Sequence, residues 1–225
     1  MTPSTLPTIN EKRFKSPAIT PQALAWDGQQ LWMSSRDLRR IYKLDVEKWS
    51  VVEEIDPPGI AWAALAINGS LRFTIGEDPN DDRYVYRYEP GGGFSKMFAC
   101  PEFTGSYLSY NDEQLYLSQW YKGHILQVDP DGNILREIDV GGEISGHTFV
   151  DGMIYVLHGT EQNGGPSRTG EYWTIARLDP REEVPEVKDL ATIPFACRSL
   201  TFDGGHFWSN HRAGNEIVSF SLPND

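Results

Sequence analysis

The chain has 225 residues, a formal net charge of -12 and many aromatics, with 7 Trp, 10 Tyr and 10 Phe. This length suffices for a substantial core, and no Ser/Pro-rich linker or charge block divides it, so a single domain is expected. The negative charge opposes binding to polyphosphates, which depends on Lys and Arg releasing counterions, and argues against nucleic acid or anionic membrane as partners.

The opening stretch "MTPSTLPTINEKRFKSP" lacks the apolar core of a secretory signal. No later segment approaches the roughly 18 apolar residues of a membrane span, so a soluble, cytoplasmic protein is the expectation. A degenerate repeat then begins. Each copy has a short apolar strand, a tight turn, a second strand with an aromatic near its start, a polar loop and a third strand. The copies are "ALAWDGQQLWMSSRDLRRIYKLD", "ALAINGSLRFTIGEDPNDDRYVYRYE", "YLSYNDEQLYLSQWYKGHILQVD", "HTFVDGMIYVLHGTEQNGGPSRTGEYWTIARLD" and "SLTFDGGHFWSNHRAGNEIVSFSL". Their turns are Asp27-Gly28, Asn68-Gly69, Asn111-Asp112, Asp151-Gly152 and Asp203-Gly204. Such dipeptides supply the positive φ angles of two-residue hairpins. "NGS" at Asn68 also fits a glycosylation sequon, but a hairpin explains it more simply.

A fourth strand follows in four copies: "SVVEEID", "FSKMFAC", "ILREIDV" and "EVKDLATI". Four antiparallel strands at this period predict an all-β, five-bladed β-propeller spanning residues 1–225. The last copy ends at "IVSFSLPND" without a fourth strand, so the N-terminal "EKRFKSPAI" is expected to supply it and close the ring. A β-sandwich is the competing fold, though it does not explain five copies of one turn. Cys100 and Cys197 have neither disulfide-scaffold nor metal-site spacing and read as buried, reduced thiols.

In a propeller the hairpin turns lie on one face, while the loops between second and third strands share the other with the loops entering each blade. The hairpin face reads as chemically plain. The opposite face collects "SSRDLRR", "GEDPNDDR", "QWYKGH", "HGTEQNGGPSRTGEYW" and "NHRAGNE". Functional residues concentrate on loops held by a rigid scaffold, which places the candidate site there. Aligning second strands equates Ser35, Ile75, Gln119, His158 and His211; aligning first strands equates Ala23, Ala64, Tyr107, His147 and Ser199. His147, His158 and His211 would then converge with Arg198 from blades four and five, beside Glu77, Gln119, Trp120 and Glu161. Three imidazoles suit Zn²⁺ or another divalent ion, and neutral imidazole also suits acid/base catalysis. The competing reading is that each histidine satisfies a hydrogen bond at a strand end.

The carboxylates of "GEDPNDDR" are oxygen donors suited to Ca²⁺ or Mg²⁺, but their spacing is not that of an EF-hand, and a solvated loop is favoured. No glycine-rich stretch has the strand-to-helix context of a phosphate loop, and no serine sits in a nucleophile elbow. The segment around residues 159–171 is long enough for a lid over the mouth.

"GGHFWSNHRAGNEIVSF" and "DGQQLWMSSRDLRRIYKLD" resemble the blade repeat of virginiamycin B lyase-like propellers. "LYLSQWYKGHILQVDPDGNILREIDV" also resembles blades of the plant-type glutamine cyclotransferase group, whose propellers have five blades. The lyase resemblance implies a site with a histidine and acidic residues near a divalent ion, for which His211 and His158 are the counterparts; the "FTE" strand end of that family is absent. The cyclotransferase group opens on an "FTQGL"-like stretch where this chain reads "TPQAL". The expected function is that of a lyase or hydrolase acting on a small molecule, with a non-catalytic small-molecule or peptide binder as the alternative. His147, His158 and His211 would bind metal or share acid/base roles, Arg198 or Arg212 would hold an anionic group, and Trp62, Tyr107 and Trp120 would form apolar walls.

Overall fold

The computed structural model describes residues 6–159 and 173–223. Five four-stranded antiparallel sheets form the blades of a propeller. Blade one comprises β2 (Pro21–Trp26), β3 (Leu31–Ser35), β4 (Arg40–Asp45) and β5 (Ser50–Ile55). Blade two comprises β6 (Ile60–Ile67), β7 (Ser70–Glu77), β8 (Asp82–Glu89) and β9 (Gly93–Ala99). Blade three comprises β10 (Leu108–Asn111), β11 (Gln114–Gln119), β12 (His124–Val128) and β13 (Ile134–Asp139). Blade four comprises β14 (Glu143–Val150), β15 (Met153–Gly159), β16 (Trp173–Leu178) and β17 (Lys188–Ile193). Blade five comprises β18 (Cys197–Phe202), β19 (Phe207–His211), β20 (Glu216–Ser221) and, as its outer strand, β1 (Ile9–Lys15).

The two chain ends therefore close the ring, as the count of strands requires. β1 pairs antiparallel with β20, and just before it Thr8 donates its N–H to the Thr192 carbonyl of blade four. Inner strands pack around the axis in chain order, and β18 returns to lie beside β2. There Ser199 Oγ accepts from the Leu24 N–H at 3.0 Å, and Thr201 Oγ1 accepts from the Trp26 N–H at 3.1 Å.

Burial falls outward across each blade. In blade one β2 and β3 are almost wholly buried, while every residue of β5 but the last is exposed. Small residues such as Ala23, Ala61 and Ala63 fill the crowded inner strands, and larger side chains fill the widening seams. Each seam has its own apolar cluster, represented by Trp32 and Phe73 between blades one and two, Phe98 and Leu126 between two and three, Ile138 and Ile154 between three and four, Leu157 and Phe220 between four and five, and Met33 and Trp208 between five and one. A blade buries both faces only against neighbours, so the closed ring is the cooperative unit. Cys100 and Cys197 are buried and unbridged, and burial pushes the Cys100 thiol up to about 12.

The turns show why the repeat is degenerate. Asn68-Gly69 and Asp151-Gly152 are two-residue hairpins with positive φ at both positions. The third turn is Asp112-Glu113, one residue later than the sequence dipeptide indicates. In blades one and five the turn has four residues, because Trp26 pairs with Leu31 and Phe202 with Phe207. The leading aspartate organises both longer turns. Asp27 Oδ1 accepts the Gln29 and Gln30 N–H groups, and its Oδ2 accepts the Trp32 indole N–H at 2.7 Å. Asp203 repeats this with Gly205, His206 and Trp208. Burial opposes ionisation of both carboxylates, yet the indole and backbone donors outweigh it and hold them below the usual range. No helix among the described residues is long and apolar enough to cross a membrane.

Candidate functional site

A cavity of about 570 Å³ opens at the loop-rich end of the propeller. Its floor is polar and buried. Gln22 enters from β2, Gln119 ends β11, and Tyr107 lies just before β10; these residues are 2%, 4% and 2% exposed. The walls hold Trp62 from β6, Trp120 from the short 3-10 turn after β11, Arg83 from β8, Arg198 from β18 and Arg212 from the loop after β19. Phe103, Tyr121 and Lys122 stand at the rim.

The walls are held by partners that fix ring planes. Trp62 donates its indole N–H to Asp81 Oδ1 at 2.8 Å, and Asp81 Oδ2 accepts from Arg83 at 3.0 Å. The Arg83 guanidinium also stacks 4.2 Å above the Trp62 ring and donates to the Gly105 carbonyl. Across the cavity Trp120 donates its indole N–H to Glu143 at 3.1 Å and packs edge-on against Trp173. Arg198 lies over the Trp120 ring at 4.6 Å and donates to its neighbour's carbonyl, that of Cys197. Two indole rings, each with a guanidinium over it, therefore line the cavity together with an amide and phenol floor.

On that floor Gln22 connects the elements. Its Nε2 donates to the Trp62 carbonyl at 3.1 Å and to the Tyr107 hydroxyl at 3.4 Å, and its Oε1 accepts from Arg212. Burial raises the Tyr107 phenol above its ordinary value, which keeps it protonated. Burial, followed by the nearby Arg198 charge, lowers Arg212 to about 10, still well above neutrality, so it remains a cation.

Of the residues assigned to substrate contact from the sequence, Trp62, Tyr107, Gln119, Trp120 and Arg212 lie in this cavity together with Arg198. Glu77 does not line it. At the end of β7 its carboxylate turns outward to the Tyr86 hydroxyl and Lys96, and these two partners, Lys96 foremost, hold it below the usual carboxylate range. Glu161 and the segment proposed as a lid, residues 159–171, lie outside the described residues apart from Gly159.

The structure does not bring the three histidines together, which corrects the expected metal cluster. His147 Nε2 donates to the Tyr107 carbonyl at 3.2 Å, so Nδ1 is the acceptor for the Ser109 hydroxyl at 2.7 Å. It is fully enclosed between blades three and four, and burial pushes it down to about 4. His158 turns outward to Asp189 on β17 at 2.8 Å. His211 joins the ring closure, with Nδ1 2.9 Å from Glu216 and the Phe195 ring alongside. Among the described residues no group of three His, Cys, Asp or Glu side chains is positioned to hold a metal ion.

The expected alignment of first strands also shifts. Register pairing sets Leu24, Ala64 and Leu108 level with His147, because the longer turn of blade one displaces the count and Leu108 rather than Tyr107 pairs with Leu117. A one-residue shift exchanges the two faces of a strand. Sequence reasoning missed Gln22, Arg36 and Arg83 in the cavity wall, and named Asp81 only as an oxygen donor of a loop read as solvated. The available signal was position: Gln22 stands in "TPQAL" at the mouth end of an inner strand, and the two arginines lie in second-to-third-strand loops or beside them. The hairpin face is less plain than expected, since a second open hollow of about 610 Å³ lies between the Asp27 and Asn68 turns.

No protein-family model matches the chain, and no curated protein matches it in sequence. Its likeness is to solved structures. The glutaminyl cyclase of Myxococcus xanthus superposes with a TM-score of 0.68 at 12% identity, covering 96% of this chain and 97% of that one. The virginiamycin B lyase of Staphylococcus aureus gives 0.54 at 13% identity, with 95% and 99% covered. The PQQ-bound aldose sugar dehydrogenase of Streptomyces coelicolor gives 0.58 at 13% identity, with 96% and 100% covered. The kinship is one of fold. The resemblance to cyclotransferase and lyase propellers read from the blade repeats is thus present in three dimensions.

Proposed function

We propose that this protein is a small-molecule propeller whose site is the mouth cavity, and that its ligand is an organic anion with an aromatic or apolar body. The observation that carries this reading is the meeting of Trp62 and Trp120 with Arg198 and Arg212 in one cavity of about 570 Å³. That volume falls within the range of small-ligand pockets, and apolar walls with a few convergent polar groups are their usual chemistry. The surrounding chain is acidic, so a cationic cavity within it favours a compact anion over a polyanion.

A lyase or hydrolase acting in the same cavity is the second reading. Asp81 favours it, as the one carboxylate among the described lining residues, held rigidly by Trp62 and Arg83. Rigidly held carboxylates suit proton transfer in elimination and hydrolysis.

A panel of small organic anions and their neutral counterparts, screened by thermal shift and tryptophan fluorescence, tests the site. A ligand at about 100 times its Kd stabilises by about 2.7 kcal/mol. The expected result is an anionic hit whose effect disappears in Trp62→Ala and Trp120→Ala. A hit that stabilises both variants as strongly as the parent would place the site elsewhere. Product analysis of the same mixtures separates turnover from binding.

A further inference from the structure

Building on the proposed mouth site, we infer that the ligand's anionic head is a carboxylate seated against Arg212 and the Tyr107 hydroxyl, with its body rising between Trp62 and Trp120. The charge pattern within the cavity leads to this assignment. Arg83 is matched by Asp81, Arg36 by Asp37 and Lys122 by Glu102. Arg212 lies deeper, and among the described residues its hydrogen-bond partner is the neutral Gln22 amide oxygen, while its Nε is buried without a partner. A largely desolvated charge with no carboxylate bonded to it is costly, and an incoming anion offsets that cost. Of its close charges, Arg198 and Arg36 repel it, and Asp37, already paired with Arg36, offsets them only in part.

The hydrogen-bond directions agree. Tyr107 Oη accepts from Gln22, so its own hydrogen is left to donate. Gln22 also accepts from Arg212, and thereby sets the guanidinium and the phenol side by side. The pair presents donors, not acceptors, toward the cavity. A planar carboxylate matches a guanidinium fork plus one hydroxyl, and charge-assisted bonds of this kind are among the strong ones. Gln22 is then a positioning residue.

The test uses matched probes that share one body: phenylacetate, phenylacetamide and benzylphosphonate, each titrated by tryptophan fluorescence. The expected result is that the parent binds phenylacetate about 30-fold more tightly than the amide, consistent with a charge-assisted contact. Arg212→Met should reduce this preference to within about threefold, and Tyr107→Phe should weaken carboxylate binding by about fivefold. Circular dichroism checks that both variants keep the sheet fold. Equal binding of amide and carboxylate, or preference for the phosphonate, overturns the carboxylate assignment while the mouth site stands. Carboxylate preference that survives Arg212→Met moves the head group away from Arg212 and likewise overturns it. If none of the three binds, or if binding ignores Trp62→Ala and Trp120→Ala, the mouth-site reading itself fails and the inference falls with it.

Discussion

The seam between blades three and four and the mouth of the channel both bury a basic side chain, and they treat it in opposite ways. His147 is wholly enclosed and neutral, with each ring nitrogen matched to a partner from the neighbouring blade. Arg212 is largely enclosed but remains charged, and its guanidinium keeps a buried nitrogen unmatched. A buried base that has given up its charge and satisfied every bond is a structural brace. One that keeps charge and bonding capacity is retained at a cost to stability, as ligand sites are.

The largest effect expected from this contrast is on stability. His147→Ala leaves Ser109 and the Tyr107 carbonyl short of a partner and opens a void, and should cost about 3 kcal/mol in urea denaturation. A loss below about 0.5 kcal/mol would remove His147 from the brace role.

The second effect is on pH dependence. The unfolded imidazole takes up a proton near pH 6.5, whereas in the fold His147 does so only near 4. Between these values the unfolded chain binds more protons, so this contribution is fully present above about pH 6.5 and drains away as the pH falls toward 4. Between pH 7.5 and pH 5 the loss attributable to His147 should be about 2 kcal/mol. Comparing denaturation at both values for the parent and His147→Gln isolates it, and parallel pH profiles would contradict the assigned cause.

The smallest effect concerns the remaining histidines. His158→Ala and His211→Ala each break a hydrogen bond to a partly exposed carboxylate, Asp189 and Glu216, and should cost about 1 kcal/mol for the lost bond. Neither should change probe binding in the cavity, whereas a tenfold loss in either variant would return the histidines to the site.

The fold was largely legible in the sequence because a propeller writes itself as a repeat. The Asp27, Asn68, Asp151 and Asp203 turns and the missing fourth strand of the last copy sufficed to count blades and to assign the N-terminal strand. The face that carries the mouth cavity was legible too, since strand order alone separates hairpin turns from mouth loops. What failed was the inference from equal strand position to equal side-chain destination. Gln119, His158 and His211 are counterparts, yet Gln119 bonds Thr104 at the cavity while the two histidines turn to Asp189 and Glu216. The partner a long side chain finds depends on the strand or loop packed beside it.

Periodicity and turn chemistry, which are local, therefore determined by themselves five blades, their closure and the loop-rich mouth. Only the tertiary structure decided that the histidines turn away from the cavity that the expected arginines and tryptophans line. Register shifts, turn length and the choice of hydrogen-bond partner are settled between strands that lie far apart in the chain, and a reversal of face follows from a displacement of a single residue.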